Sequence, residues 1–305
     1  MTSFQFETVD VFTKVRFGGN PLAVFADARD LSTADMQRIA LEFNYAEVTF
    51  VTPPSNPANT AAVRIFTPAR EIPFAGHPNV GTAFVLARAG SVFGRRTGDS
   101  MRFEEGAGLV EVDVVRSGAE IVGARFPAPS PFKRGVEVGV EAVARCASLS
   151  PDDVVTTNHA PAVASVGLPF VIAELRSIES LGRAAPNAAA FVDARRRYQP
   201  ANEGFPLFLY TRLPNGPSSV RARMFAPLSK IPEDPATGSA SAALGGLMAA
   251  LDPRPEMTIA LSIEQGIEIG RPSSIEVKAR KAAGAVADVI VAGTCVPVMT
   301  GTISI

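Results

Sequence analysis

The sequence predicts an α+β fold of two similar halves, each a curved sheet closing around one central helix. Three observations carry this. First, the chain repeats itself. Arg64-Ile65-Phe66-Thr67-Pro68 returns as Arg223-Met224-Phe225-Ala226-Pro227. His77-Pro78-Asn79-Val80-Gly81-Thr82-Ala83 returns, in the same order, as Asp234-Pro235-Ala236-Thr237-Gly238-Ser239-Ala240. A fainter match sets Gly19-Asn20-Pro21-Leu22 against Gly167-Leu168-Pro169-Phe170. Ordered matches roughly half a chain apart mark a duplicated unit. Second, the helices that follow the repeat motifs lack a polar face: Thr237–Leu251 contains no charged residue, and 81–89 contains one Arg near its end. Helices apolar all round are wrapped by other structure. Third, the rest of each half reads as short strands, which with a buried helix gives the α+β class.

The elements follow in order. Segments rich in Val, Ile and Phe at Phe4–Phe12, Leu22–Phe25, Thr49–Thr52 and Ala61–Phe66 read as strands. Each repeat motif then opens a helix. Pro78 and Pro235 suit the first helical position, where a missing N–H costs nothing. Asp234 suits the N-cap, accepting from the free amides of the first turn, and His77 occupies the matching place. The small residues of both helices allow strands to approach closely. Phe126-Pro127-Ala128-Pro129-Ser130-Pro131 is the best linker, its prolines stiffening the chain. The halves are then residues 1–125 and 126–292.

Bulk properties narrow the function. A chain of 305 residues suits two domains, and 47% hydrophobic with 19% charged residues is globular composition. A net charge of −1 advertises no basic face, so nucleic acid is not an expected partner. Cys146 and Cys295 sit in no CxxC pair and beside no histidine, which reads as free buried thiols. The first residues hold no apolar run of signal-peptide length, and no apolar stretch is long enough to span a membrane. A cytoplasmic protein without membrane contact is expected.

The candidate chemistry lies at the two helix starts. Free amides and the helix dipole bind anions there. A substrate carboxylate suits the Gly76-His77 turn or the Gly238-Ser239 turn, in a cleft between the halves. Asp234 and Ser239 serve equally well as simple caps. Glu47, in Asn44-Tyr45-Ala46-Glu47-Val48-Thr49-Phe50-Val51, is an acid entering an apolar strand. Burial there prepares a carboxyl for proton transfer; a solvated or Arg-paired strand-end Glu is the other reading. Arg271, in Gln265-Gly266-Ile267-Glu268-Ile269-Gly270-Arg271, either binds a carboxylate with its fork or braces a turn. His159 has no supporting pattern and reads as a surface or loop residue. There is no phosphate-binding GxxxxGK[ST] loop, no dinucleotide GxGxxG after a strand and no GxSxG elbow. Two isolated histidines do not make a zinc site. Chemistry by side chains alone, with no cofactor and no metal, is the expectation.

These motifs together resemble the PhzF-like (phenazine biosynthesis-like) isomerase family. The resemblance rests on Glu233-Asp234-Pro235-Ala236-Thr237-Gly238-Ser239-Ala240, on Phe66-Thr67-Pro68 with Glu71 and Gly76-His77-Pro78, on Gly19-Asn20-Pro21, and on Glu47 before Phe50. It covers the whole chain in the right order. It implies a diaminopimelate epimerase-like fold of two pseudo-symmetric domains, each a β-barrel-like sheet around a central helix, with roughly residues 293–305 returning to the first domain. It implies that Glu47 is the general acid/base, assisted by His77, Asp234 and Ser239, and it adds Asn20 to Gly76, Gly238, Ser239 and Arg271 as substrate-binding residues. The implied reaction is a cofactor-independent proton shift or double-bond isomerisation on a small carboxylated metabolite, carried out by a homodimer.

The sequence departs from the family pattern at two places beside this site. Ala46 stands where Ser is common before the glutamate, which removes a hydroxyl able to bond substrate. Asn79 stands where Thr is common after His-Pro. The phenazine precursor is therefore not assigned as substrate. The racemase relatives use two opposed cysteines near the central helices, where this chain has Gly76-His77 and Glu233-Asp234, so a two-thiol mechanism is not expected. Two other readings stay open: a non-catalytic small-acid binding or regulatory protein that keeps the pocket, and a racemase or epimerase with two non-thiol bases.

Overall fold

Strand alternation builds most of this structure, a computed structural model that describes residues 2–198, 204–214, 216 and 218–305. The chain divides into two compact units, Met1–Pro127 with Ala292–Ile305, and Ala128–Val291. The first unit holds β1 (Ser3–Val11), β2 (Asn20–Phe25), α1 (Thr33–Phe43), β3 (Glu47–Thr52), β4 (Ala61–Phe66), β5 (Glu71–Ile72), α2 (Gly76–Ala89), β6 (Ser91–Val92), β7 (Arg95–Arg96), β8 (Ser100–Glu105), β9 (Gly108–Ser117) and β10 (Glu120–Pro127). The second holds β11 (Lys133–Glu137), α3 (Val140–Cys146), β12 (Val154–Val155), β13 (Ala162–Ser165), β14 (Pro169–Leu175), α4 (Ile178–Arg183), α5 (Ala188–Tyr198), β15 (Leu207–Arg212), β16 (Ser219–Ala226), β17 (Ile231–Asp234), α6 (Gly238–Leu251), β18 (Met257–Gln265) and β19 (Ser273–Ala282). The long β20 (Ala285–Ser304) begins in the second unit and ends in the first.

In the first unit the sheet closes on itself. β20 pairs with β1 from Ser3–Ser304 to Val11–Cys295, β1 with β2, and β2 lies parallel to β3. β3 pairs with β4, β4 lies parallel to β8, and β8, β9 and β10 run as a meander. β10 then meets β20, where a Cβ on Gly123 would strike the Gly293 carbonyl and a Cβ on Gly293 would strike the Phe12 ring, so neither position has room for a side chain. α2 fills the interior: every residue from Gly76 to Leu86 is buried. Gly81 is required there, because a Cβ on it would fall 2.6 Å from Leu22 Cδ2 and 2.9 Å from Val11 Cγ2. Each fully buried Val, Leu or Phe around the helix contributes about 1.5–3 kcal/mol.

The second unit repeats this plan strand for strand. β13 pairs antiparallel with β14, β14 lies parallel to β15, β15 pairs with β16, β16 lies parallel to β18, and β18 pairs with β19. α6 takes the place of α2, with its interior residues buried and Gly245 and Gly246 pressed against Val277 and Phe132. The repeat reaches side-chain detail. Arg64 grips Glu71 through Nε and Nη2 at 2.8 and 2.7 Å, and Arg223 grips Glu233 through the same atoms at 2.8 and 2.7 Å. Each guanidinium also covers a phenyl ring, that of Phe66 or Phe225. These are the two arginines with which the repeat motif opens.

The structure corrects one reading of a histidine. His159 lies in a loop but is buried, 6% exposed. Its Nε2 meets the Tyr210 hydroxyl at 2.9 Å, and that hydroxyl donates to Glu174, a carboxylate also held by Asn158 and Arg212. A buried imidazole needs such partners, and they come from β14 and β15, distant in sequence. Cys146 and Cys295 are free and buried, and burial pushes the Cys146 thiol up to about 12. No helix among the described residues is long and apolar enough to cross a membrane.

Candidate active site

Glu47 opens β3, directly opposite Leu22 on the parallel β2. Strand alternation puts Glu47 and Thr49 on one face, and that face meets α2. Thr82 of α2 bonds Thr49 through their hydroxyls at 3.0 Å. Nearer the start of α2, His77 Nε2 stands 3.5 Å from Glu47 Oε2, both side chains nearly closed to solvent at 6% and 13% exposure. Burial drives the His77 ring down to about 3, so the imidazole is neutral at ordinary pH. The contact is therefore a carboxyl against a neutral ring rather than an ion pair. The ring can serve either state of the acid: its Nε2–H tautomer donates to the carboxylate, and its Nδ1–H tautomer accepts from the carboxylic acid.

The neighbouring sites are built on forced backbone. Gly19 sits at φ +61°, where a Cβ would lie 2.3 Å from Val11 O, so only glycine turns the chain into Asn20. Asn20 is fully buried at the head of β2. Gly76 begins α2, and its amide with that of His77 lies at the positive end of a buried helix.

In the second unit the helix start differs from the sequence expectation. Asp234 is not the N-cap, and Pro235 is not the first helical residue: α6 begins at Gly238 with Thr237 as cap. Asp234 ends β17, pairing with Met224, and accepts the Thr237 hydroxyl at 2.5 Å. In the first unit Pro78 is the third residue of α2 rather than the first, because the helix starts at Gly76. The reason in the second unit is Gln265. Its Oε1 accepts the Thr237 amide at 3.0 Å, and its Nε2 donates to Asp234 O at 2.8 Å and Thr237 Oγ1 at 3.1 Å. A side chain from another strand thus does the work of the cap. Ser273 Oγ, donating to Pro235 O at 2.9 Å, ties the same turn to β19.

Arg271 is half-buried in the turn that follows Gln265, where its amide donates to Gly266 O at 2.9 Å. That turn packs on Pro235, since a Cβ on Gly266 would lie 2.6 Å from Pro235 O. Gly238 is buried and Ser239 half-buried in the first turn of α6. The structure therefore brings Glu47 to His77 in the first unit and the Arg271 turn to the Asp234 turn in the second. Sequence reasoning missed Gln265 and the Thr49–Thr82 link. The signal for Gln265 was present: Leu261, Ile263 and Gln265 alternate on one buried face of β18. Among the described residues no group of three or more His, Cys, Asp or Glu side chains is placed to hold a metal ion.

Comparisons with known proteins bear on the family and the fold. The family model described as phenazine biosynthesis-like protein matches residues 9–301. An uncharacterized isomerase of Mesorhizobium japonicum is 36% identical over 300 residues, covering 97% of each chain. The trans-2,3-dihydro-3-hydroxyanthranilate isomerase of Pseudomonas chlororaphis is 34% identical, again over 97% of each. In fold, the chain is similar to a phenazine biosynthesis PhzF-family protein of Bacillus anthracis, with a TM-score of 0.86, 24% identity and 100% of each chain covered. It is also similar to a hydroxyproline epimerase of Agrobacterium vitis, with a TM-score of 0.63, 14% identity, and 99% and 92% covered. A repeated barrel around a buried helix, matched by the family model over residues 9–301 and by relatives named isomerases over 97% of the chain, has one reading: the chain belongs to the phenazine biosynthesis-like (PhzF) family and is an isomerase.

Proposed function

We propose that this isomerase moves a proton, and with it a double bond, on a small carboxylated substrate, using side chains alone. The observation that carries the reading is the closely placed pair of a mostly shielded Glu47 and a buried, neutral His77 at the positive end of α2. Glu47 takes a proton from carbon and returns it at the far end of an allylic system, on the same face. No electrons are gained or lost, and one carboxyl serves both steps. His77 stabilises Glu47 in each protonation state, and the Gly76 and His77 amides hold the substrate carboxylate. Asp234, Gly238, Ser239, Asn20 and Arg271 are proposed to complete binding, with Asp234 assisting proton transfer. The two compact units are taken as the two domains, and the working form as a homodimer, for which light scattering that reports a monomer at micromolar concentration is the contrary result.

The absence of nucleotide-binding fingerprints supports the cofactor-free reading. The names of the relatives support a substrate with a ring carboxylate, while Ala46 and Asn79, departures beside the site, leave the phenazine precursor unassigned. The experiment is incubation in D2O with trans-2,3-dihydro-3-hydroxyanthranilate as first probe, followed by other small unsaturated carboxylic acids. Deuterium at one carbon with a shifted double bond is the expected result. Tight binding of a probe with no exchange in any of them favours the non-catalytic binding protein instead.

A further inference from the structure

The register of the two sheets matches residues between the units one by one. In the first, Ala61 pairs with Phe103 and Ala62 with Glu104. In the second, Val220 pairs with Ile263 and Arg221 with Glu264. Counting on from the repeated Arg64 and Arg223, these pairs correspond, so Glu105 is the counterpart of Gln265. Both close their strand, both follow two inward apolar residues (Met101 and Phe103; Leu261 and Ile263), and both precede a glycine pressed against a proline, Pro73 or Pro235. The similarity ends at the functional group: one is an amide, the other an acid.

Gln265 accepts through its amide oxygen and donates through its amide nitrogen, bracing the turn into α6. Glu105 has both carboxyl oxygens buried, and neither meets a partner at full hydrogen-bond geometry, the Asn79 side chain being the group close enough to act on them. Beside it lies Asn79 of α2, fully buried, which donates Nδ2 to Ala75 O at 3.1 Å and whose Oδ1 also has no partner among the described residues. As an ionised group Glu105 would be acceptor-only and leave Asn79 Oδ1 unmet. As an acid it offers an O–H donor and a C=O acceptor, the same pair that Gln265 presents.

We propose that Glu105 is a positioning residue, a carboxylic acid that braces the first turn of α2 through Asn79 as Gln265 braces the turn into α6, and so sets His77 against Glu47. Burial pushes its carboxyl up to about 8, with the Asn79 amide, as a hydrogen-bond donor, acting the other way. The charged groups on the surrounding elements are occupied elsewhere. Glu104 accepts the Ser55 and Asn56 amides, Arg102 meets Glu111, and Arg64 meets Glu71. His77 is neutral. Asn79, a departure from the family pattern, is thereby matched to an acid at position 105. Only the effect on turnover rests on the isomerase reading.

The test uses the whole protein and two measurements that need no substrate. As pH rises from about 4.5 to about 8, the unfolded chain gives up the Glu105 proton and the folded chain keeps it, so this group's contribution to stability falls over that range and levels above it. Glu105→Gln removes that slope. Its melting temperature is expected to gain on wild type by several degrees between about pH 5 and about pH 8, and parallel curves would overturn the proposal. With only two histidines in the chain, imidazole NMR resolves His77. Its signals are expected to move in Glu105→Ala and return in Glu105→Gln; an unmoved His77 in a folded Ala variant would also overturn it. Should the Ala variant fail to fold, the Gln melting curve decides alone. Absence of turnover in wild type would remove the isomerase reading and leave both measurements standing.

Discussion

In the first unit the repeat segment around His77 is already helix; in the second, the matching segment around Asp234 is the end of a strand and a turn. The difference begins with where the first-turn groups find partners. Gln265 reaches in from β18 and takes the Thr237 amide and the Asp234 carbonyl, holding those residues out of the helix. In the first unit Asn79 bonds back to Ala75 O within its own turn, and α2 starts earlier. A second difference lies on the strands. Val48 pairs with Phe66 and Leu207 with Phe225, so the counterpart of Glu47 is Pro206. Proline cannot carry a proton, and its carbonyl accepts the Val171 amide at 2.9 Å. Duplication supplied one scaffold twice, and only the first copy placed an acid at that strand start.

Three substitutions sharpen the comparison, in falling order of effect. Arg223→Ala should cost about 3–5 kcal/mol, because loss of the pair with Glu233, whose side chains are 8% and 10% exposed, leaves a shielded carboxylate without its partner and frees the Leu181 and Ala184 carbonyls that Arg223 also serves. Gln265→Ala should cost about 1–3 kcal/mol, the price of the unmet Thr237 amide and Asp234 carbonyl, and should shift the start of α6. Arg64→Ala should cost about 1 kcal/mol or less, since its pair with Glu71 is 30–40% exposed and water replaces it. Urea denaturation of the three variants measures all of these. Equal losses for Arg64 and Arg223 would break the claim that the two copies differ in burial rather than geometry.

Much of the fold was legible in the sequence. The repeat motifs, the two largely apolar helices and the alternating strands gave a curved sheet around a central helix, twice over, and the resemblance made it a barrel; Arg64 and Arg223 turned out to anchor the same ion pair in both copies. The helix starts were misread at Asp234 and Pro235 because local cap rules see only neighbours in sequence, and Gln265 arrives from 28 residues away in the chain. His159 was misread for the same reason, its partners Tyr210 and Glu174 lying on distant strands. Within the first unit the closeness of Glu47 and His77 was implied by resemblance alone; nothing in either local segment states that β3 runs beside the start of α2. Glu105 was passed over although it alternates with Met101 and Phe103, since an acid at the end of a strand ordinarily faces water.

Glu47 is the group proposed to carry the proton. Glu47→Gln keeps the size and hydrogen-bonding reach of the side chain and removes its ability to shuttle a proton. The decisive measurement is deuterium incorporation from D2O into a turned-over probe acid by wild type and by Glu47→Gln, with melting temperatures taken alongside. Incorporation and turnover should fall by about 10²-fold or more in the variant, while ligand affinity stays within about tenfold and folding is retained. Near-normal exchange by a folded Glu47→Gln protein would contradict the account and pass the proton to Asp234 or His77.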